Sequence, residues 1–366
     1  MKIKEIVQYL ESIAPSSYQE SYDNAGLITG NQSWECTGIL TTLDCTEDIV
    51  KEAIAKNINM IVAHHPIVFK GLKKINGKNY VEQTIIAAIK NDIAIYAIHT
   101  NLDNVIDGVN ARIADILGLV NRKILVPKSG ELCKLVTFVP NDHSENVRNA
   151  LFKAGAGNIG NYDQCSFNTE GHGTFKASEG TKPFVGHIGE RHVEPETRIE
   201  VIFPKYLKGK VVAALISAHP YEEVAYDIYL LENDYAQVGA GLVGELPEAL
   251  TEVDFLNLLK DRFQLQVIRH TQLLGKKIKK VALCGGAGSF LTGAAIASGS
   301  DIYVTGDVKY HEFFDADNKI VLADIGHFES EQFTIDLLFD YLRTKFPTFA
   351  VLKSDTKTNP IYYFVQ

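Results

Sequence analysis

The chain has 366 residues, 46% hydrophobic and 22% charged, a balance that suits a globular protein with two domains or one large domain carrying an insertion. Its net charge is -9, from 36 Lys plus Arg against 45 Asp plus Glu, and with no basic block in sight nucleic acid is not an expected partner. No apolar run is long enough to span a membrane, and no basic, then apolar, leader opens the chain, so the reading is a cytoplasmic protein without membrane contact.

The five cysteines, Cys36, Cys45, Cys133, Cys165 and Cys284, are scattered and never form a Cys-x-x-Cys pair. That argues against a disulfide framework and against a thiolate zinc site, and for a reducing compartment.

From Lys2 onward, Ile3, Ile6, Val7 and Leu10 recur at helical spacing, and the pattern stops before Pro15. A polar turn, Ser21 to Gly26, leads into a strand around Leu27 to Thr29. Ile39 to Leu43 reads as a strand, Thr46 to Lys56 as a helix with Thr46 as its cap, and Ile61 to Ala63 as a strand that ends at His64-His65-Pro66. Val81 to Lys90 is helical, and Ile93 to Ile98 is a strand running into His99-Thr100-Asn101-Leu102-Asp103. Alternating strands and helices predict a parallel sheet, whose ligands gather outside the carboxyl ends of its strands.

Between about Leu132 and Asn233 the pattern changes. Leu132 to Val139 is a strand and Glu145 to Ala154 a helix; two polar strand-like segments follow, around Cys165 to Asn168 and Gly173 to Ala177. Arg198 to Phe203 is a strand, Leu207 to Ser217 a helix and Val224 to Leu231 a last strand. We take this as a ferredoxin-like inserted domain bordered by Pro127 to Gly130 and Asn233 to Gly241. The expected organisation is therefore a core first half over 1–130, an insertion over 131–240 and a core second half over 241–366.

The second half repeats the plan of the first. Val281 to Cys284 is a strand, Gly285 to Ser289 a glycine-rich turn, Phe290 to Ser298 a helix, and Ile302 to Thr305 a strand ending in Gly306-Asp307. Ile320 to Ala323 is a further strand, leading to Asp324-Ile325-Gly326-His327-Phe328-Glu329-Ser330-Glu331. The turn lacks the Lys-Ser/Thr ending of a P-loop and the full spacing of a dinucleotide fingerprint, so close packing is the better account of its glycines.

Three strand ends thus carry groups able to bind a metal. His327 and Glu331 stand four apart, on one face of a helix if one opens after Gly326. With His64, His65 and Asp103 they make three imidazoles and two carboxylates, a donor set suited to zinc, manganese or iron. Five such ligands exceed one tetrahedral ion's needs, so two divalent ions about 3.5 to 4 Å apart are expected.

The motifs Asp23-Asn24-Ala25-Gly26-Leu27, Ala63-His64-His65-Pro66, His99-Thr100-Asn101-Leu102-Asp103, Thr305-Gly306-Asp307-Val308-Lys309-Tyr310-His311 and Gly326-His327-Phe328-Glu329-Ser330-Glu331 together resemble the dinuclear-metal family called GTP cyclohydrolase I type 2 homologues, or Nif-three-like proteins. Ala25 departs from the larger apolar residue of many relatives, away from the proposed ligands. The resemblance implies an α/β fold whose two related strand-helix-strand halves form the metal-binding core, with a PII/CutA-like α+β insertion that makes trimers within a ring-shaped homohexamer. It also implies His65 and Asp103 on one ion, His64 and His327 on the other, and Glu331 shared.

The function expected is a metal-dependent hydrolase acting on a small molecule such as a nucleotide or phosphoester, with zinc as the first choice of ion. The alternative is a non-catalytic metal-binding or regulatory protein whose insertion senses a ligand. Asp307 and His311 are the candidate catalytic residues, as proton carriers or as supports for the ligands. His99 is expected to orient Asp103 or to line the cleft, and His172, His187, His192 and His219 in the insertion to be structural or solvated.

Overall fold

The computed structural model describes residues 1–364 and divides into two compact units, Met1–Pro127 with Ala236–Gln366, and Lys128–Tyr235. The first four strands are β1 (Gly26–Thr29), β2 (Ile39–Thr42), β3 (Met60–Ala63) and β4 (Ala94–Ala97). Next come β5 (Val120–Ser129), β6 (Leu132–Pro140), β7 (Phe167–Lys176), β8 (Arg191–Pro204) and β9 (Tyr226–Leu231). The chain closes with β10 (Asp234–Thr251), β11 (Arg269–His270), β12 (Lys277–Ala287), β13 (Ile302–Gly306), β14 (Val321–Asp324) and β15 (Val351–Lys353).

In the larger unit one sheet has the order β1-β4-β3-β2-β15 and the other β11-β14-β13-β12-β10-β5. Strands β2, β3 and β4 run parallel, with β1 antiparallel on the outer side of β4. Strands β12, β13 and β14 repeat this, with β11 antiparallel on β14. The halves differ on the other flank, where β15 joins β2 in parallel and β10 joins β12 antiparallel.

Every residue of β3, β4 and β14 is buried, which is why Met60-Ile61-Val62-Ala63 and Ala94-Ile95-Tyr96-Ala97 read as unbroken apolar runs with no alternation. Helices Glu47–Ala55 and Tyr80–Lys90 pack on the first sheet through Ile49, Val50, Ala53, Ile85 and Ala88. Full burial of an isoleucine such as Ile61 contributes about 1.5 to 3 kcal/mol, and rows of them fix which ends of the strands align.

The smaller unit has the strand order β7-β8-β6-β9, with helices Ser144–Lys153 and Lys208–Ala218 over one face: the ferredoxin-like arrangement. Leu135, Val147, Leu151, Ile199, Val201, Val211 and Leu215 form its core.

Several boundaries differ from expectation. The two polar segments around Cys165 to Asn168 and Gly173 to Ala177 are one strand, β7, paired with β8 from Phe167 to Lys176. Strand β7 is largely exposed and is held by its ladder bonds, which polar composition cannot reveal. The border stretch Asn233 to Gly241 contains the division between the units, at Tyr235 and Ala236, but it is no loop: from Asp234 on it is part of β10, which is 18 residues long. Gly285 to Ala287 likewise continue β12 through an irregularity before pairing ends at Ala287 with Gly306, so the glycines are less a turn than the frayed end of a strand.

Candidate metal centre

The C-terminal ends of β3, β4, β13 and β14 deliver the side chains of interest to one place. His64 and His65 follow β3 directly, and their backbone N-H groups donate to Thr42 and Leu43 at the end of β2, at 3.2 and 2.9 Å. Asp103 ends the short helix Thr100–Asp103 after β4. After β14, Asp324 accepts from the N-H of Gly326 at 2.9 Å, Gly326 takes φ +92, and the helix His327–Glu331 begins. His327 and Glu331 thus stand one turn apart.

Each of the three proposed histidine ligands is held by Nδ1. His64 Nδ1 lies 2.8 Å from the carbonyl of Ile98, His65 Nδ1 2.8 Å from Asp44, and His327 Nδ1 2.8 Å from Asp307. An imidazole pinned at Nδ1 by an oxygen presents Nε2 as its ligand atom, the usual support of a metal-binding histidine. The Nε2 atoms do face inward. His65 Nε2 is 3.0 Å from Glu331 Oε2, His327 Nε2 is 3.1 Å from the same oxygen, and the two nitrogens are 3.3 Å apart. His64 Nε2 lies 3.6 Å from Asp103 Oδ1 and 3.8 Å from Glu331 Oε1.

The ligand atoms therefore gather as His65, His327 and Glu331, and as His64, Asp103 and Glu331, with Glu331 in both sets. This differs from the partition implied by family resemblance, which set His65 with Asp103 and His64 with His327. The chain bends at His64 and His65, so both rings face one site with centroids 4.9 Å apart; His64 is held there by the carbonyl of Ile98, just past β4, and His65 by Asp44.

Charge follows the same geometry. Burial opposes a proton on His65, but its bonds to Asp44 and Glu331 prevail and push its pKa up to about 10. Burial likewise opposes a proton on His327, and Glu331 and Asp307 outweigh it to give about 9. Burial lowers His64, which keeps it neutral. Burial and the charge of Glu331 raise Asp103 well above the usual carboxylate range, while Glu331, against its own burial, is held low by His327, His64 and His65.

Two atoms test whether this cluster fits a cation. His64 Nε2 and Asp103 Oδ1 are both buried and make no hydrogen bond, though they lie only 3.6 Å apart. A buried polar atom without a partner costs about 1 to 3 kcal/mol. Neutral imidazole nitrogen and carboxylate oxygen are donors to a divalent ion, so an ion there satisfies both atoms, and the residues fit the group.

The remaining candidates fall elsewhere. Asp307, at φ +55 after β13, supports His327 and lines the cleft. His311 is exposed and packs against Tyr310 and Phe314, outside the cluster, because the turn after Asp307 carries it away. His99 lines the cleft with its ring centroid 5.3 Å from His64 and 5.4 Å from His65, but its Nδ1 is 2.8 Å from Asp23, not Asp103. It could itself serve beside His64 and His65. In the insertion, His172 and His187 are exposed, His192 meets Glu194, and His219 meets the carbonyl of Phe138.

Sequence reasoning passed over Asp44 altogether and gave Asp23 no role. Asp23 accepts from Thr100 as well as meeting His99, and although burial works against its charge these bonds hold its pKa at about 2. Asp44 stands just past the end of β2, and the strand-end rule that found the histidines reaches it too.

Beside the cluster lies a cleft of about 520 Å³, walled in part by Tyr22, Phe69, Phe290 and Phe328. Fold and site together define an α/β protein of two related half-cores with a histidine and carboxylate cluster able to hold a metal. The profile of Duf34/NIF3 (NGG1p interacting factor 3) matches residues 1–360. The chain is 43% identical over 324 residues to a Halalkalibacterium halodurans protein named GTP cyclohydrolase 1 type 2 homolog, covering 88% of this chain and 87% of that one. A Bacillus subtilis protein of the same name is 38% identical over 366 residues, with 98% of each chain covered. Among solved structures, a Bacillus cereus protein described as related to NIF3 superposes with TM-score 0.88 at 38% identity, covering 100% of this chain and 99% of that one. This chain belongs to the Duf34/NIF3 family.

Proposed function

We propose that the protein is a divalent-metal-dependent hydrolase with two ions in one site. The observation that carries this reading is the unpartnered pair His64 Nε2 and Asp103 Oδ1 within a cluster that already contains a second set of donors, His65 and His327, around the same Glu331. His65, His327 and Glu331 would hold one ion; His64, Asp103 and Glu331 would hold the other. Nitrogen and carboxylate donors without sulfur suit zinc first, then manganese or iron. Bound ions of this kind supply Lewis acidity and make water a competent nucleophile near neutral pH.

The chain's own groups do the rest. Ile98, Asp44 and Asp307 fix the imidazoles so that no reorientation accompanies the reaction. His99, fixed by Asp23 and not needed to complete either donor set, is placed to carry a proton between the cleft and a substrate. The cleft admits a small molecule, and the name shared by the relatives makes a nucleotide or phosphoester the first class to try. We further propose a homohexamer built from trimers of the insertion, a reading supported by the exposed Tyr226, Tyr229 and Leu230 on β9. The cytoplasm is the proposed compartment.

One observation favours the rival reading of a metal-binding or regulatory protein: Asp307 is engaged with His327, and His311 stands apart from the cluster. Metal analysis and a hydrolase screen on the same preparation separate the two. The hydrolase should carry close to two ions per chain and turn over a substrate that His64→Ala does not, while His99→Gln keeps the metal and loses on the order of 10² to 10⁴ in rate. A fully loaded wild type inert toward every nucleotide and phosphoester tried would make the binding protein the better account.

A further inference from the structure

The cleft beside the cluster is aromatic and acidic. Tyr22 and Phe69, 63% and 47% exposed, lie with ring centroids 6.2 Å apart, and Phe69 stands edge-on to His99 at 6.1 Å. Phe290, 71% exposed, lines the same cleft. No lysine or arginine is among the described residues that line it, whereas Glu20, Asp44, Asp103, Asp307 and Glu331 all do. Two divalent ions would bring four positive charges against these five carboxylates. An adjoining lobe shares Asp44, His65, Pro66 and Phe69; Lys70 is its one lysine or arginine among the described residues, and Glu47 and Asp48 oppose it.

Apart from divalent ions, whose charge the five carboxylates here already offset, a polyphosphate is held by arginine or lysine side chains or by a run of open backbone N-H groups. The glycine-rich end of β12 does not offer such a run. The N-H of Gly285 donates to Asn110 at 2.9 Å, that of Gly286 to Ser330 at 3.0 Å, and that of Gly288 to Thr305 at 3.0 Å.

We infer that the cleft takes an uncharged planar ring compound of the nucleobase or nucleoside class, stacked on Tyr22 and Phe69, and that a polyphosphate tail adds nothing to its binding. This narrows the substrate of the proposed hydrolase and rests on that reading for the reaction, though not for the binding itself. Stacking of a base on an aromatic side chain is worth roughly tenfold to a hundredfold in affinity and needs no complementary charge.

The test is calorimetric titration of the full-length, zinc-loaded protein with guanosine, GTP and ribose at low and high salt. Guanosine should bind at both salt concentrations, GTP no more tightly than guanosine, and ribose not at all. The double variant Tyr22→Ala, Phe69→Ala should bind guanosine at least about tenfold more weakly, with unchanged metal content and melting temperature, because both rings are largely exposed. GTP binding tenfold tighter than guanosine with a gain that salt removes, absence of guanosine binding, or a double variant that binds as well as wild type would each overturn the inference. Guanosine bound without turnover of any substrate sinks the hydrolase reading alone, and phosphoester turnover without ring binding sinks this one alone.

Discussion

A Cβ on Gly286 would occupy the place of Oε1 of Glu331. It would also come within 3.2 Å of the Glu331 carboxyl carbon and 3.3 Å of His327 Cε1, and Gly286 itself sits at φ +62. The glycine at the end of β12 is thus the space into which the shared carboxylate fits. Gly306 acts similarly at the end of β13, where a Cβ would lie 2.9 Å from the backbone nitrogen of His327.

Gly286→Ala should therefore displace Glu331 and strain the backbone, with a stability loss of about 1 to 3 kcal/mol. Metal content of the purified variant should fall well below that of wild type. A variant that melts as wild type does and holds the same metal would show that the close approach is not needed.

Asp44→Asn and Asp307→Asn each weaken the hold on one imidazole without removing a donor to the ion. Loss of such a support ordinarily costs about 10- to 100-fold in metal affinity, which competition with a chelator measures. His311→Ala, at an exposed position outside the cluster, should leave affinity unchanged. A drop there equal to that of Asp307→Asn would mean that His311 reaches the site in the assembled protein.

Metal uptake should depend on pH in a stated direction. In the metal-free protein His65 and His327 hold protons up to about 10 and 9, against an ordinary value of 6.5, and an ion must displace them. Apparent affinity should therefore rise from pH 6 to 9, with proton release measurable in buffers of different ionisation enthalpy. The stabilising contribution of these raised groups in the metal-free protein is complete below 6.5 and is lost as pH rises through 9 to 10. Affinity independent of pH across this window would contradict the arrangement.

Glu52 ties the C-terminal segment to the helix Glu47–Ala55. It accepts from Lys56 at 2.7 Å, Ser354 at 2.7 Å, the N-H of Asp355 at 2.9 Å and Thr356 at 2.6 Å. The same segment sends Thr358 to Asp44 at 2.7 Å and lines the cleft with Asn359, Pro360 and Ile361. Burial opposes the charge on Glu52, but these bonds hold its pKa at about 2 against 4.5, so its contribution is present above 4.5 and is lost as pH falls toward 2. Glu52→Gln should destabilise the protein by about 1 to 3 kcal/mol at neutral pH and flatten the acid limb of its stability profile. An unchanged acid limb in chemical denaturation would refute this.

The sequence by itself determined the strand-and-helix rhythm of both halves and the residues standing at the strand ends, because apolar runs and their breaks are local. Met60 to Ala63 is apolar on both faces, so a strand buried on both sides was legible, and the histidines that interrupt the run had to lie at its end. The four-residue spacing of His327 and Glu331 is a local geometric fact and needed only a helix to become a shared face. The insertion's ferredoxin-like order was legible for the same reason, although β7 was read as two separate strand-like segments: ten mostly exposed residues carry no continuous hydrophobic rhythm, and pairing with β8 joins them into one strand.

Tertiary structure decided which ligand faces which. His65 meets His327 across 262 positions of sequence, and His64 meets Asp103. Asp44 and Thr358 are unremarkable in the sequence and gain their roles from the atoms opposite them, as does Asp23, which the sequence placed in a motif but gave no task. The glycines at the end of β12 admit a ligand's side chain, and the phosphate-binding look of their spacing disappears once their N-H groups are seen to be taken. The physical reason is one of range: propensity and periodicity act over a few residues, whereas a buried polar atom takes its partner from whatever the packed sheets bring within about 3 Å.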